Sequence, residues 1–168
     1  MNRINKELFD KAIALGLCTQ GQANWQESKN PQELIDMFKS GLEFCFKHHF
    51  PTNKYIKRNF KKELLQENNV YVDDEFYTEN PKSDCVILGK CDGKLLFNGF
   101  AVRDVYINDD SDVEIQASGL SKIFVNVYGN TKVHLVQKES SKIFVYRYGD
   151  DSVISYSGNV IIKDRTAQ

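Results

Sequence analysis

Ser121-Lys122-Ile123-Phe124-Val125 returns unchanged as Ser141-Lys142-Ile143-Phe144-Val145, twenty residues later. The Tyr-Gly pair behind it returns as well, Tyr128-Gly129 against Tyr148-Gly149. Identity at fixed spacing marks a repeat architecture, in which one supersecondary unit stacks on the next. Blocks of twenty align Val105 with Val125 and Val145, Val113 with Val133 and Val153, and Ile115 with Leu135 and Ser155. Within the blocks an apolar-x-apolar triplet recurs about every ten residues: Val113/Ile115, Ile123/Val125, Val133/Leu135, Ile143/Val145, and a weaker one opened by Val153. β-Branched residues alternating with period two describe strands with one buried face. Turn formers separate them at 108–111, 129–131, 138–140, 149–151 and 157–159.

Two architectures place a strand every ten residues. An antiparallel meander, closing into a sandwich or barrel, requires no likeness between alternate strands. A β-solenoid of about 20 residues per coil stacks each strand in parallel on its equivalent one coil earlier. Here alternate strands resemble each other more than neighbours do, which favours the solenoid. Residues 85–100 read as a degenerate first coil, with Cys85 and Leu95 in the right columns but Gly93 where valine is expected. Val160-Ile161-Ile162 is the final strand, before a polar tail at 163–168, and about four coils result.

The N-terminal part has helical spacing. Ile4, Leu8, Ala12 and Leu15 share one face, followed by Gly16 at a left-handed C-cap position. After a polar stretch holding Trp25, Asn30-Pro31-Gln32-Glu33 is a capping box with proline in the first turn. The second helix buries Leu34, Phe38, Leu42 and Cys45 and ends near His49, because Phe50-Pro51 follows. A third helix, over 53–66, buries Ile56, Phe60 and Leu64. The expectation is an α+β chain: a three-helix N-terminal cap over 1–72, with Val70-Tyr71-Val72 as a short strand, an acidic linker at 73–84 and the solenoid over 85–168.

The formal net charge of −1 hides an asymmetry: 11 Lys+Arg against 7 Asp+Glu give +4 over 1–66, and 11 against 16 give −5 over 67–168. Lys54, Lys57, Arg58 and Lys61 make a basic stripe on the third helix, a candidate for nucleic-acid phosphates. The competing reading is a solvated face complementing the acidic β half, and the overall charge is not that of a nucleic-acid-binding domain. There is neither a signal peptide nor an apolar run long enough to span a membrane, so a soluble, cytoplasmic protein is expected. Cys18, Cys45, Cys85 and Cys91 have irregular spacing and read as reduced residues.

No motif nominates a reaction. Cys45 with His48 and His49 matches no zinc spacing. Asn108, Asp110, Asp112 and Glu114 alternate like oxygen ligands but lack the glycine of a calcium loop. His134 lies mid-strand, away from any serine or cysteine the sequence can pair with it, and no nucleophile elbow or nucleotide-binding glycine loop is present. The reading is a non-enzymatic binding or structural module, without cofactor or metal. If Ile123, Val125, Ile143 and Val145 point inward, then Phe124, Tyr128, Phe144, Tyr146 and Tyr148 point outward near Tyr106, an aromatic ladder suited to protein or carbohydrate. The unpaired last strand is a place where another copy could add on.

Several segments also resemble one another's counterparts in a known group: Leu15-Gly16-Leu17-Cys18, Trp25, residues 33–41, Phe44-Cys45 with His48, His49 and Pro51, Ile56-Lys57, Glu63-Leu64-Leu65, Val70-Tyr71-Val72-Asp73 and the Ser-Lys-Ile-Phe-Val coils. Together they resemble an uncharacterised family of small proteins from Bacteroides-type gut bacteria, often encoded in prophage or mobile-element regions. The resemblance covers nearly the whole chain and implies a phage or mobile-element setting. It implies no activity, cofactor or site residue.

Overall fold

Every strand of the C-terminal unit pairs in parallel with the strand two places along the chain. The computed structural model describes residues 3–25 and 29–166, which divide into compact units at Met1–Leu65 and Gln66–Gln168. In the second unit β1 (Val70–Val72), β3 (Cys85–Leu88), β5 (Val102–Ile107), β7 (Lys122–Val127), β9 (Lys142–Arg147) and β11 (Val160–Asp164) form one sheet in that order. The other holds β2 (Glu75–Glu79), β4 (Asp92–Phe97), β6 (Asp112–Ala117), β8 (Lys132–Gln137) and β10 (Val153–Ser157). This is a β-solenoid of about 5 turns and about 20 residues per coil. The antiparallel meander does not occur, since each ladder is parallel.

The repeat dictates the register. Cys85, Val105, Val125 and Val145 stack in one column, as do Gly93, Val113 and Val133. The valines of these columns are shut off from solvent, with Val105, Val113, Val125 and Val145 at 0% exposure and Val133 at 2%. Burial of one β-branched side chain contributes roughly 1.5–3 kcal/mol, so a continuous column stabilises the stack at every coil.

Three expectations need correction. The solenoid begins at Val70, not at residue 85, and the expected linker at 73–84 carries β2, paired along its length with β4. Val153 does not join the Val113 and Val133 column: Ile154 pairs with Val133, and Tyr156, not Ser155, lies over Leu135. One extra residue at the corner after Arg147 causes this slip, and a one-residue slip exchanges the faces of a strand; Val153 is 58% exposed.

Third, among the described residues six helices replace three: α1 (Arg3–Ala14), α2 (Thr19–Asn24), α3 (Pro31–Ser40), α4 (Leu42–His48), α5 (Asn53–Asn59) and α6 (Lys62–Glu67). The expected second helix breaks at Gly41, which ends α3 and precedes α4 with φ −109° and ψ 24°. The third breaks at Phe60, whose extended backbone (φ −118°, ψ 139°) ends α5. The capping box forms as read: Glu33 N–H donates to Asn30 Oδ1 at 2.9 Å, and Asn30 N–H donates to Glu33 Oε2 at 2.7 Å. Chain reversal before Phe50-Pro51 falls on His49, left-handed at φ 47°. Leu8, Ala12, Trp25, Leu34 and Phe50 form the core of this unit. Among the described residues no helix is long and apolar enough to cross a membrane.

Candidate functional site

The outward positions of the six-stranded sheet gather the aromatic residues. Because Ile123, Val125, Ile143 and Val145 face the core, the alternation of β7 and β9 sends Phe124, Phe144 and Tyr146 outward. Phe124 and Phe144 are register partners, stacked with centroids 5.3 Å apart and planes at 18°. Tyr128 and Tyr148, just past the strand ends, stack at 4.6 Å and 6°. All five expected residues therefore lie along this sheet or its corner. Each is half-buried, neither covered nor fully open.

Cations share the face. The Lys122 ammonium lies 5.3 Å from the Phe124 centroid and 5.5 Å from that of Phe144. Lys163 and Arg165 both approach the Tyr146 ring, at 5.7 and 4.9 Å. Lys142 pairs with Lys122 across the ladder and is exposed. No motif singles out these four residues, although the same alternation that turns Phe124 outward turns Lys122 outward two positions earlier.

Toward the N-terminal coils the face becomes acidic. Asp104 precedes Phe124 in the same outward column; its N–H donates to Asp84 Oδ1 at 2.9 Å, and its carboxylate accepts from Asn126 Nδ2 at 3.5 Å. Burial raises the Asp104 carboxyl above the ordinary range, and the Asp84 charge adds to that, against the Asn126 donation. Tyr106 is raised by burial first, then by Asp104, Asp84 and Tyr148.

A stack of this kind constrains what can bind. Rings lying flat on one another each spend one face on the other and turn their edges outward. Sugars and unstacked bases need a free ring face, whereas side chains packing at an interface can use edges. The geometry therefore fits a partner that meets ring edges and ammonium groups together.

The other nominated groups are distributed elsewhere. Lys54, Lys57 and Arg58 are exposed on α5, with the Arg58 guanidinium 5.8 Å from the Tyr55 centroid. Lys61 lies beyond the Phe60 break, outside both α5 and α6, so the basic stripe does not run along one helix as expected. Cys85 and Cys91 are buried in the solenoid, with Cys91 Sγ donating to the Leu88 carbonyl at 3.3 Å. His48 packs on Phe44 at 4.6 Å. Among the described residues no three His, Cys, Asp or Glu side chains converge to hold a metal ion. Asp110 accepts from Asn130 Nδ2 at 3.1 Å and Glu114 pairs with Lys94 at 2.8 Å, so these oxygens tie one coil to the next.

His134 does meet a serine. Its Nδ1 lies 2.9 Å from Ser155 Oγ on the exposed side of the five-stranded sheet. The one-residue slip of β10 brings Ser155 into the His134 register, a contact that spacing by twenty could not reveal. Comparison of the chain with family models, curated proteins and solved structures finds no match.

Proposed function

We propose that this chain is a non-catalytic binding module that takes an acidic protein segment on the outer face of its six-stranded sheet. The observation that carries the reading is the combination of mutually stacked rings with outward cations: Phe124 on Phe144, with Lys122 against both and Lys142 beside it. Ring edges supply apolar contact area at low entropic cost, and the ammonium groups select carboxylates and speed encounter. The unit as a whole is acidic, so this basic strip stands out against its own surroundings and gives a partner a defined place to land.

The test uses labelled peptides drawn from an array of Asp- and Glu-rich sequences, with binding followed by fluorescence anisotropy. The expected result is saturable binding that weakens about tenfold or more in Lys122→Glu/Lys142→Glu and is unchanged in Lys54→Glu/Lys57→Glu. Absence of binding across the array, or equal binding by the Lys122/Lys142 variant, overturns the proposal. A glycan-array signal lost in Phe124→Ala/Phe144→Ala would reassign the face to carbohydrate. A gel shift abolished by reversing Lys57, Arg58 and Lys61 would move the function to α5 and nucleic acid.

A further inference from the structure

The two ends of the stacked core are finished differently. At the N-terminal end Tyr71 is 3% exposed, its ring stacked on Phe76 at 3.9 Å and 16°, and its hydroxyl 2.7 Å from Thr78 Oγ1. The first strand there, β1, is only three residues long, a device that blunts an edge. That end is closed.

The C-terminal end is open. β10 and β11 are the last strands of their sheets, and the inner columns finish in Ile154 over Val133, Tyr156 over Leu135, Val160 over Ile143 and Ile162 over Val145. Tyr156 is 53% and Ile162 39% exposed, whereas Leu135 and Val145 beneath them are at 0%. Polar side chains flank this apolar strip. Arg147 and then Asp164 follow Ile107 and Val127 in their column; Arg147 donates to the Gly149 carbonyl at 3.2 Å and Ser152 Oγ at 3.0 Å, and pairs with Asp164 at 3.7 Å. Gln137 ends the column above Ala117, donating to the Ser141 carbonyl at 2.9 Å and accepting from Asn159 N–H at 2.8 Å. An apolar centre inside a polar rim is the anatomy of a protein interface.

We infer that this end is a homodimer interface, where two copies meet tail to tail about a twofold axis and β10 of each pairs antiparallel with β11 of the other. The chain runs out along one sheet and back along the other in every coil. A twofold axis along the strand direction therefore brings the β11 edge of one copy over the β10 edge of the second, in opposite senses. That sets the end of β11, with Lys163 and Arg165, beside the corner that leads into the partner's β10. The corner carries Asp150 and Asp151, both exposed. Symmetry makes the charge match twice. Pairing β11 with β11 would instead set the cations against the uncharged Gly158-Asn159 turn, so the β10–β11 arrangement is the complementary one.

The occupant is a second copy because both halves of the charge match lie on one chain, and because the inner columns continue across the axis as Ile154, Tyr156, Val160 and Ile162 from each side. Because the contact is isologous, it uses up the tail of both copies, and the assembly stops at two and does not grow into a filament.

The experiment is sedimentation velocity on the full chain over a wide concentration range. The expected species has twice the 19.3 kDa chain mass. Ile162→Asp is expected to be monomeric with unchanged far-UV circular dichroism. Asp150→Lys/Asp151→Lys should weaken the dimer about tenfold, and adding Lys163→Glu/Arg165→Glu should restore it. A monomer at every concentration, a mass that climbs past the dimer, a dimeric Ile162→Asp, or a charge reversal that the second reversal does not rescue each overturns the inference.

Discussion

The ring of Phe76 occupies the space that a side chain at Gly93 would need: a Cβ there would run into Phe76 Cζ and Cε1. The two residues are register partners in β2 and β4, so the glycine lets an aromatic from the first coil close the core. Gly93→Val should destabilise the fold by about 1–3 kcal/mol through overpacking. Gly93→Val/Phe76→Ala should recover much of that loss, because the valine then continues the Val113 and Val133 column. Urea midpoints of the two variants decide it; a single variant that unfolds with the wild type would show that the ring does not depend on Gly93.

Thiol chemistry should separate the four cysteines. Cys18 is exposed, whereas Cys85 and Cys91 are 0% and 2% exposed. Burial pushes the Cys45 thiol up to about 12, leaving almost no thiolate near pH 8. Iodoacetamide on the native protein is expected to modify Cys18 alone, with the other three reacting after denaturation. Peptide mass spectrometry reads the sites, and fast native modification of Cys45 would contradict the burial argument.

Asp104 should make stability depend on pH in an unusual direction. Its folded pKa is raised by burial and by Asp84, so the folded chain holds its proton where the unfolded chain, near 3.9, has lost it. Stability from this group is full at acid pH and declines as pH rises through the folded pKa. Asp104→Asn should therefore match the wild type in acid and exceed it at neutral pH. Thermal melts across that range provide the comparison, and a variant less stable at neutral pH than in acid, relative to wild type, would refute it.

The N-terminal unit has its own polar anchor. Asn5 is 0% exposed; its side-chain carbonyl accepts from the Trp25 indole N–H, and its Nδ2 donates to the Lys29 carbonyl at 3.3 Å. Asn5→Leu leaves the buried indole N–H without this acceptor, at a cost of about 1–3 kcal/mol. Asn5→Leu/Trp25→Phe, which removes both partners, should be less damaging than Asn5→Leu alone. Circular dichroism melts measure both, and equal losses would mean that packing, not the hydrogen bond, sets the effect.

Much of the solenoid was legible because stacking repeats chemistry: like residues recur wherever like positions pile up, as Phe124 and Phe144 do. The first coil was not, since Val70 pairs with Val86 across sixteen positions rather than twenty. Corners lie outside the ladder and absorb such length changes, so spacing loses count there while the strands stay in register. The same effect hid the His134–Ser155 contact. In the helices, apolar residues continue past Gly41 and Phe60, and periodicity reports a buried face rather than a break in the backbone ladder. At the aromatic site, alternation gave outward rings but not their mutual stacking, which takes one face of each ring away from a ligand.

The Ser-Lys-Ile-Phe-Val repeat by itself determined that coils stack and which residues of each strand face inward, because identical pieces at equal spacing satisfy one another's hydrogen bonds and columns. Only the tertiary structure decided what the serine does. Ser121 and Ser141 are 1% and 4% exposed, and their hydroxyls donate to the carbonyls of Ser118 at 2.8 Å and Lys138 at 2.7 Å. A small polar residue can enter a dry corner only where a turn leaves a carbonyl for it to satisfy, and that carbonyl is placed by the folded chain, not by the pattern of residues along it.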